Sequence, residues 1–200
     1  MMTAFDRHYP VAVVARILSD HFRLTLDDGE LYSHAQRCIY NAFDTAETMT
    51  NRVIVPTTVR IGYDDIEDSV IELPTAPISE IVDVKYVGED GEWHTIEPSA
   101  YTFVGDEGRA VLELASMPTL SSARRTHRFE IIAKAGYADT DMFGVSREGY
   151  PLPGNVEQAV KLMAGTFFDY QADTVAGSTS EIPTCARMLL TPLRFYPYGR

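Results

Sequence analysis

The spacing of apolar residues changes period twice along these 200 residues, and that change limits the chain's architecture more than any single motif. Up to about residue 52 the apolar positions recur at helical spacing. From Val53 the period shortens toward two. Beyond residue 154 it is helical again. A chain with this order cannot alternate helix and strand into a parallel sheet. It predicts an α+β protein: a small helical bundle of three to four helices, with an antiparallel β-rich module inserted in it. The expected domains are a helical hub from 1–52 and 138–200 and an inserted module over 53–137.

The first helix is expected over Tyr9 to His21, where Val13, Val14, Ile17 and Leu18 share a face. Pro10 suits an early helical position. A longer helix should start at Asp27 or Asp28 and run to about Asn51. Its apolar stripe is Leu31, Ala35, Cys38, Ile39, Ala42, Ala46 and Met49, opposite Gln36, Arg37, Asp44 and Glu47. Short β-branched and aromatic runs follow at Val53 to Ile61, Val70 to Leu73, Ile81 to Val87, Trp93 to Ile96, Tyr101 to Val104, Ala110 to Leu114 and Phe129 to Ala135. Glu89-Asp90-Gly91 and Gly105-Asp106-Glu107-Gly108 read as hairpin turns. Regular short strands with glycine-bearing turns predict an antiparallel sheet or small sandwich. A long polar loop, Ala138 to Gly154, precedes a helix from Asn155 to about Asp173. A glycine- and serine-bearing stretch, Ala176 to Ser180, leads to a final short helix, Thr184 to Leu190, which Pro192 stops.

Charge narrows the function. Asp and Glu number 29 against 17 Lys and Arg, a formal charge of -12. Such a surface disfavours tight wrapping of nucleic acid, which needs clustered cations. The only basic cluster is Arg124-Arg125-Thr126-His127-Arg128, which reads as a solvated loop entering a strand. Asp64-Asp65-Ile66-Glu67-Asp68 lacks the spaced oxygen ligands of a calcium loop and reads as a solvated turn. The two cysteines, Cys38 and Cys185, sit among apolar residues and are expected to be buried free thiols. Five histidines share no ligand spacing, and no phosphate-binding or nucleophile-elbow motif occurs. No apolar run approaches the ~18 residues of a membrane span, and no secretory signal is evident. We therefore expect no catalytic residue, no metal site, no cofactor and no membrane contact.

Four stretches carry a family resemblance. Leu31–Met49 followed by Thr50-Asn51-Arg52-Val53-Ile54 resembles a helix ending in a tight turn before a first strand. Ile71-Glu72-Leu73-Pro74 through Lys85-Tyr86, with Asp90-Gly91 after it, is similar to a strand of pattern L-x-x-x-P-[IV]-x-x-[IV]-x-x-[IV]-x-Y and its turn. Ile131-Ile132-Ala133-Lys134-Ala135-Gly136-Tyr137 and Pro153-Gly154-Asn155-Val156 resemble the closing strand and the late helix start. Ala186-Arg187-Met188-Leu189-Leu190-Thr191-Pro192-Leu193-Arg194 is close to an LL-x-P-[YL]-R ending. In this order they resemble the head–tail connector (adaptor) proteins of tailed phages. The loop Ala138–Gly154 is longer than the link usual in that family.

The resemblance implies a structural subunit of a ring, usually twelve-fold, between the portal and the tail or its stopper. Double-stranded DNA passes through its centre without specific binding. The location is the neck of the virion, reached from the host cytoplasm. Head-to-tail packing in such a ring needs apolar patches on two faces. Phe43, Phe168 and Tyr170 lie off the main stripes and are candidates for the inter-subunit face, although a broader core would use the same side chains. Leu193, Arg194, Phe195, Tyr196, Tyr198 and Arg200 are the expected portal contacts, because aromatics and arginine dominate interface hot spots. The same tail could instead pack on its own domain. Two alternatives stay open: another neck component, such as a stopper or tail-completion protein, and a small-molecule-binding protein or enzyme using the β module.

Overall fold

The computed structural model describes residues 1–138, 149–169 and 182–196. Most of the expected loop at Ala138–Gly154, the stretch Ala176–Ser180 and the far end of the late helix lie outside the described residues. The chain divides into two compact units. The first holds Met1–His8, Val55–Gly136 and, of the described tail, Tyr196. The second holds Tyr9–Ile54 and Tyr137–Phe195. The α+β class is as expected: helices together with antiparallel sheets.

The first unit contains all the strands found among the described residues. They are β1 (Met2–Phe5), β2 (Thr57–Tyr63), β3 (Val70–Glu72), β4 (Ile78–Val87), β5 (Trp93–Thr95), β6 (Tyr101–Gly105), β7 (Ala110–Leu114) and β8 (Phe129–Ala135). They form a five-stranded sheet, β1-β2-β8-β4-β5, and a three-stranded sheet, β3-β7-β6. Every pairing is antiparallel. Along β2 and β8 alternate residues turn inward, so Val59, Ile61, Ile131 and Ala133 are buried, as a pleated strand with one covered face requires. Ile71, Leu112 and Leu114 do the same for the small sheet.

Two features differ from the sequence reading. Val53 to Val55 is not strand; Ile54 and Val55 are buried, and β2 begins at Thr57. An N-terminal strand, β1, was not expected. All four of its residues are exposed, so it carries no buried alternation to reveal it. It is held by its ladder to β2 and by the N-terminal ammonium, which donates to the Gly62 carbonyl at 2.6 Å.

The second unit is helical. α1 (Val11–Arg16) runs directly into a wider π turn, Ile17–His21, and together they bury Val13, Val14, Ile17 and Leu18. α2 (Glu30–Thr50) is the longest element. It starts later than expected because Asp28 closes a separate 3-10 turn: its carboxylate accepts from the Thr25 amide at 2.6 Å and the Thr25 hydroxyl at 3.1 Å. Asn51 ends α2 in the left-handed region, φ 53°, the stop that asparagine tolerates best after glycine. α3 (Gly154–Asp169) lies against α2 and is antiparallel to it, since Phe168 near its end meets His34 near the start of α2. α4 (Thr184–Leu190) packs on the N-terminal end of α3 and the C-terminal end of α2, with the Asn155 side-chain amide donating to the Leu189 carbonyl at 3.2 Å.

One polar network ties the first helix to α3. Glu157 receives Arg16 at 2.5 Å and Lys161 at 2.8 Å. Burial pushes its carboxyl up, but the hydrogen bonds and charges of Lys161 and Arg16 outweigh this and hold it below the usual carboxylate range. A carboxylate with a depressed folded pKa contributes stability that is complete above its unfolded value of about 4.3 and is lost as pH falls through the folded value. Glu157→Gln should therefore cost about 1–2 kcal/mol at neutral pH. The gap between variant and parent should close on acidification, which urea melts at pH 7 and pH 3 would read.

Candidate interaction surfaces

The basic and acidic clusters of the β unit meet each other. The Asp64 carboxylate accepts the His127 amide at 2.8 Å, and Arg128 reaches Asp65 at 2.8 Å and donates to the Asp64 and Ser121 carbonyls. Arg124 lies over the Trp93 ring at 5.2 Å and donates to the Thr126 carbonyl. The arginine-rich loop is thus engaged with the acidic turn of its own chain. Trp93, paired across the ladder with Val87, is 40% exposed. On the three-residue edge strand β5, Arg124 and the edge of His127 lie against its ring.

Sequence reasoning missed Glu130. It points to the outer face of β8 yet is only 7% exposed, because the His127 ring folds down over Gly62 and bonds its carboxylate at 2.9 Å, with Arg60 at 3.5 Å on the other side. The available signal was one acid inside the apolar run Phe129-Glu130-Ile131-Ile132, with a histidine three residues before it.

Phe43 is fully buried on α2, with the Tyr9 ring 6.2 Å away. Tyr9 also stacks on Tyr40 at 4.0 Å and donates its hydroxyl to Asp44 at 2.8 Å. Phe43 therefore belongs to the core of its own unit and presents no surface to a neighbour. The residues before α1 cover that side of α2 and widen its buried stripe. Phe168 is half-buried between Phe22 and His34, at 5.0 and 5.2 Å. Tyr170 lies outside the described residues.

The C-terminal tail is anchored first and exposed afterwards. The Phe195 amide donates to the Thr50 carbonyl at 2.7 Å, and the Asn51 side chain donates to the Phe195 carbonyl at 3.3 Å. The Arg52 guanidinium bonds the Leu193 carbonyl and lies 5.9 Å from the Phe195 ring. Phe195 is 8% exposed, and Leu193 is half-buried. These two therefore pack on their own unit, because the end of α2 offers them a carbonyl, an amide and a cation. Arg194 and Tyr196 face outward, Tyr196 at 68% exposure. Tyr198 and Arg200 lie outside the described residues. On α4, Ala186 and Leu190 turn inward, so Cys185 is exposed and only Cys38 is buried, contrary to expectation for Cys185. Burial pushes the Cys38 thiol up, and the neighbouring Arg37 only partly offsets this.

The chemistry of the described residues is sparse. No three His, Cys, Asp or Glu among them converge as metal ligands would, and no described helix is long and apolar enough to cross a membrane. A shallow concavity of about 900 Å³ lies at the N-terminal turns of α2, lined by Leu26, Gly29, Leu31 and Tyr32 among others. It is open to solvent, and Glu30, Ser33, His34, Gln36 and Arg37 complete its lining.

What these two units define is a fold class, an α+β chain in which a helical unit and an antiparallel β unit share one polypeptide, and that fold has solved counterparts. A chain in the neck of an empty gene transfer agent (GTA) particle, computed with C6 symmetry, aligns with a TM-score of 0.73 at 21% identity, over 100% of this chain and 99% of that one. A chain of the virion of the native GTA particle gives 0.74 at 20% identity, covering 100% and 97%. A chain in the neck of the native GTA particle, computed with C12 symmetry, gives 0.66 at 19%, covering 100% and 99%. At such identities the similarity is one of fold. No known protein-family model matches the sequence, and no curated protein matches it significantly.

Proposed function

We propose that this chain is a structural head–tail connector (adaptor) subunit of a tailed phage or phage-like particle. It forms a ring, taken as a dodecamer, between the portal and the tail or stopper, and double-stranded DNA passes through the lumen. The observation that carries this reading is the alignment of the whole chain with the whole of neck chains from GTA particles, one of them in a neck of C12 symmetry. The layout of the surface supports it. Exposed apolar and aromatic side chains such as Leu26, Met188 and Tyr196 offer surfaces for contact. A chain of charge -12 repels a passing duplex, so DNA would slide without being gripped.

Within this reading the portal contact falls to Arg194 and Tyr196, with Tyr198 and Arg200 beyond them. Leu193 and Phe195 act as the anchor that fixes where the tail leaves the helical unit. The test is co-expression with the portal protein of the same particle. The wild-type chain should co-purify with the portal. The double variant Arg194→Glu with Tyr196→Ala should stay folded and lose at least about tenfold in portal affinity, as removal of an exposed aromatic and arginine pair does at a contact centre. Unchanged portal binding by the folded variant would remove the tail from the contact. No complex with the wild-type chain would count against the adaptor reading itself.

A further inference from the structure

The helical unit carries two exposed patches of opposite character at opposite ends of α2. At the N-terminal end is the concavity of about 900 Å³. Leu26 is 80% exposed there and Leu31 is 45% exposed. Glu30 lies on the lining and Asp27 is exposed beside Leu26, with Arg37 as a cation on the lining about two turns further along α2. At the C-terminal end sits the outward face of α4, where Met188 is 70% exposed and Arg187 and Cys185 lie beside it in solvent. The described stretch from residue 182 to residue 196 contains two arginines, Arg187 and Arg194, and no Asp or Glu, in a chain whose total is -12. One end is therefore an apolar hollow with Glu30 on its lining and Asp27 beside it, and the other an arginine-bearing face tipped by a flexible apolar side chain. α2 has 21 residues, so the two patches are separated by roughly 30 Å at 1.5 Å per residue. They cannot satisfy each other within one chain.

We infer that these patches are the two halves of one head-to-tail contact, in which Met188 and Arg187 of α4 seat in the Leu26–Leu31 hollow of a second copy of this chain. The inference rests on the ring reading above and adds which surfaces make the ring. A closed ring of identical subunits needs two different, complementary patches on each copy. Charge complementarity sets the direction of the contact and prevents like ends from meeting. An unbranched thioether is the side chain best able to fill an irregular hollow. Asp27 and Glu30 face Arg187 across the contact.

Native Cys185 supplies the test, since it is exposed on the α4 face while Cys38 is 4% exposed. The full chain carrying Leu26→Cys is oxidised mildly at its highest soluble concentration, and the disulfides are mapped by mass spectrometry. A 26–185 bond can form only between copies, because a disulfide requires Cα atoms within about 7 Å. The expected result is a ladder of covalent oligomers joined by 26–185 bonds. Adding Cys185→Ser should abolish the ladder. Adding Met188→Glu instead should reduce it by about tenfold, the loss expected of an anchor residue. Non-covalent oligomers that form without any 26–185 bond would overturn this contact and leave the ring reading standing. A chain that stays monomeric in native mass spectrometry, alone and with its portal, would overturn both.

Discussion

Phe43→Ala lowers the unfolding free energy by about 3–5 kcal/mol, the range for deleting a buried aromatic and leaving its cavity. The ring is completely buried, and the face of α2 around it is closed by Tyr9, which stacks on Tyr40 and bonds Asp44. That clamp resists collapse into the space, so the cost should fall in the upper part of the range. Urea denaturation followed by far-ultraviolet circular dichroism measures it. Phe168→Ala provides the contrast. Its ring is half-buried against Phe22 and His34, so it should lose less than half as much. Equal losses at the two sites would mean that the helical core has been drawn in the wrong place.

Gly136→Ala should cost about 2–4 kcal/mol, and Gly136→Val should prevent folding of the β unit at 37 °C, because strain at a special backbone position and overlap with rigid atoms add together. Gly136 holds φ 98° at the end of β8. A Cβ there would stand 2.7 Å from the Val55 carbonyl carbon and 2.9 Å from the Pro56 nitrogen, with the Val55 oxygen nearer still. All of these atoms are backbone, so no side chain can swing aside. The Gly136 amide also bonds the Pro77 carbonyl at 3.0 Å, which fixes the strand end on its other flank. Gly91 is the control. Its φ is 81°, but a Cβ would meet nothing within 4 Å, so Gly91→Ala should cost only the backbone term, about 1 kcal/mol.

The elements legible in the sequence are those whose period coincides with burial. β6, β7 and β8 alternate or run apolar and appear where the pattern placed them, and β4 begins three residues earlier than expected, at Ile78. α2 shows its stripe over five turns. β1 was invisible because none of Met-Thr-Ala-Phe is buried; its pairing with β2 is a matter of backbone hydrogen bonds, which leave no trace in side-chain pattern. The anchored tail was legible as aromatic but not as anchored, since Thr50, Asn51 and Arg52 hold it from 140 or more residues away in sequence. Phe43 reads in the sequence as either a subunit face or a broader core for a related reason: Tyr9, which packs against it, precedes the first helix. In each case the missing information is a contact made far away in the sequence, which local periodicity does not encode.

The central claim concerns place. Particles produced with the gene for this chain deleted, and again with it restored, should be imaged by electron microscopy, with the reconstructed neck density fitted to the two units. The account predicts DNA-filled or emptied heads without tails in the deletion, and in the restored particles a ring of copies directly beneath the portal. Particles that keep normally joined tails without the chain, or density for it anywhere other than the neck, would contradict it.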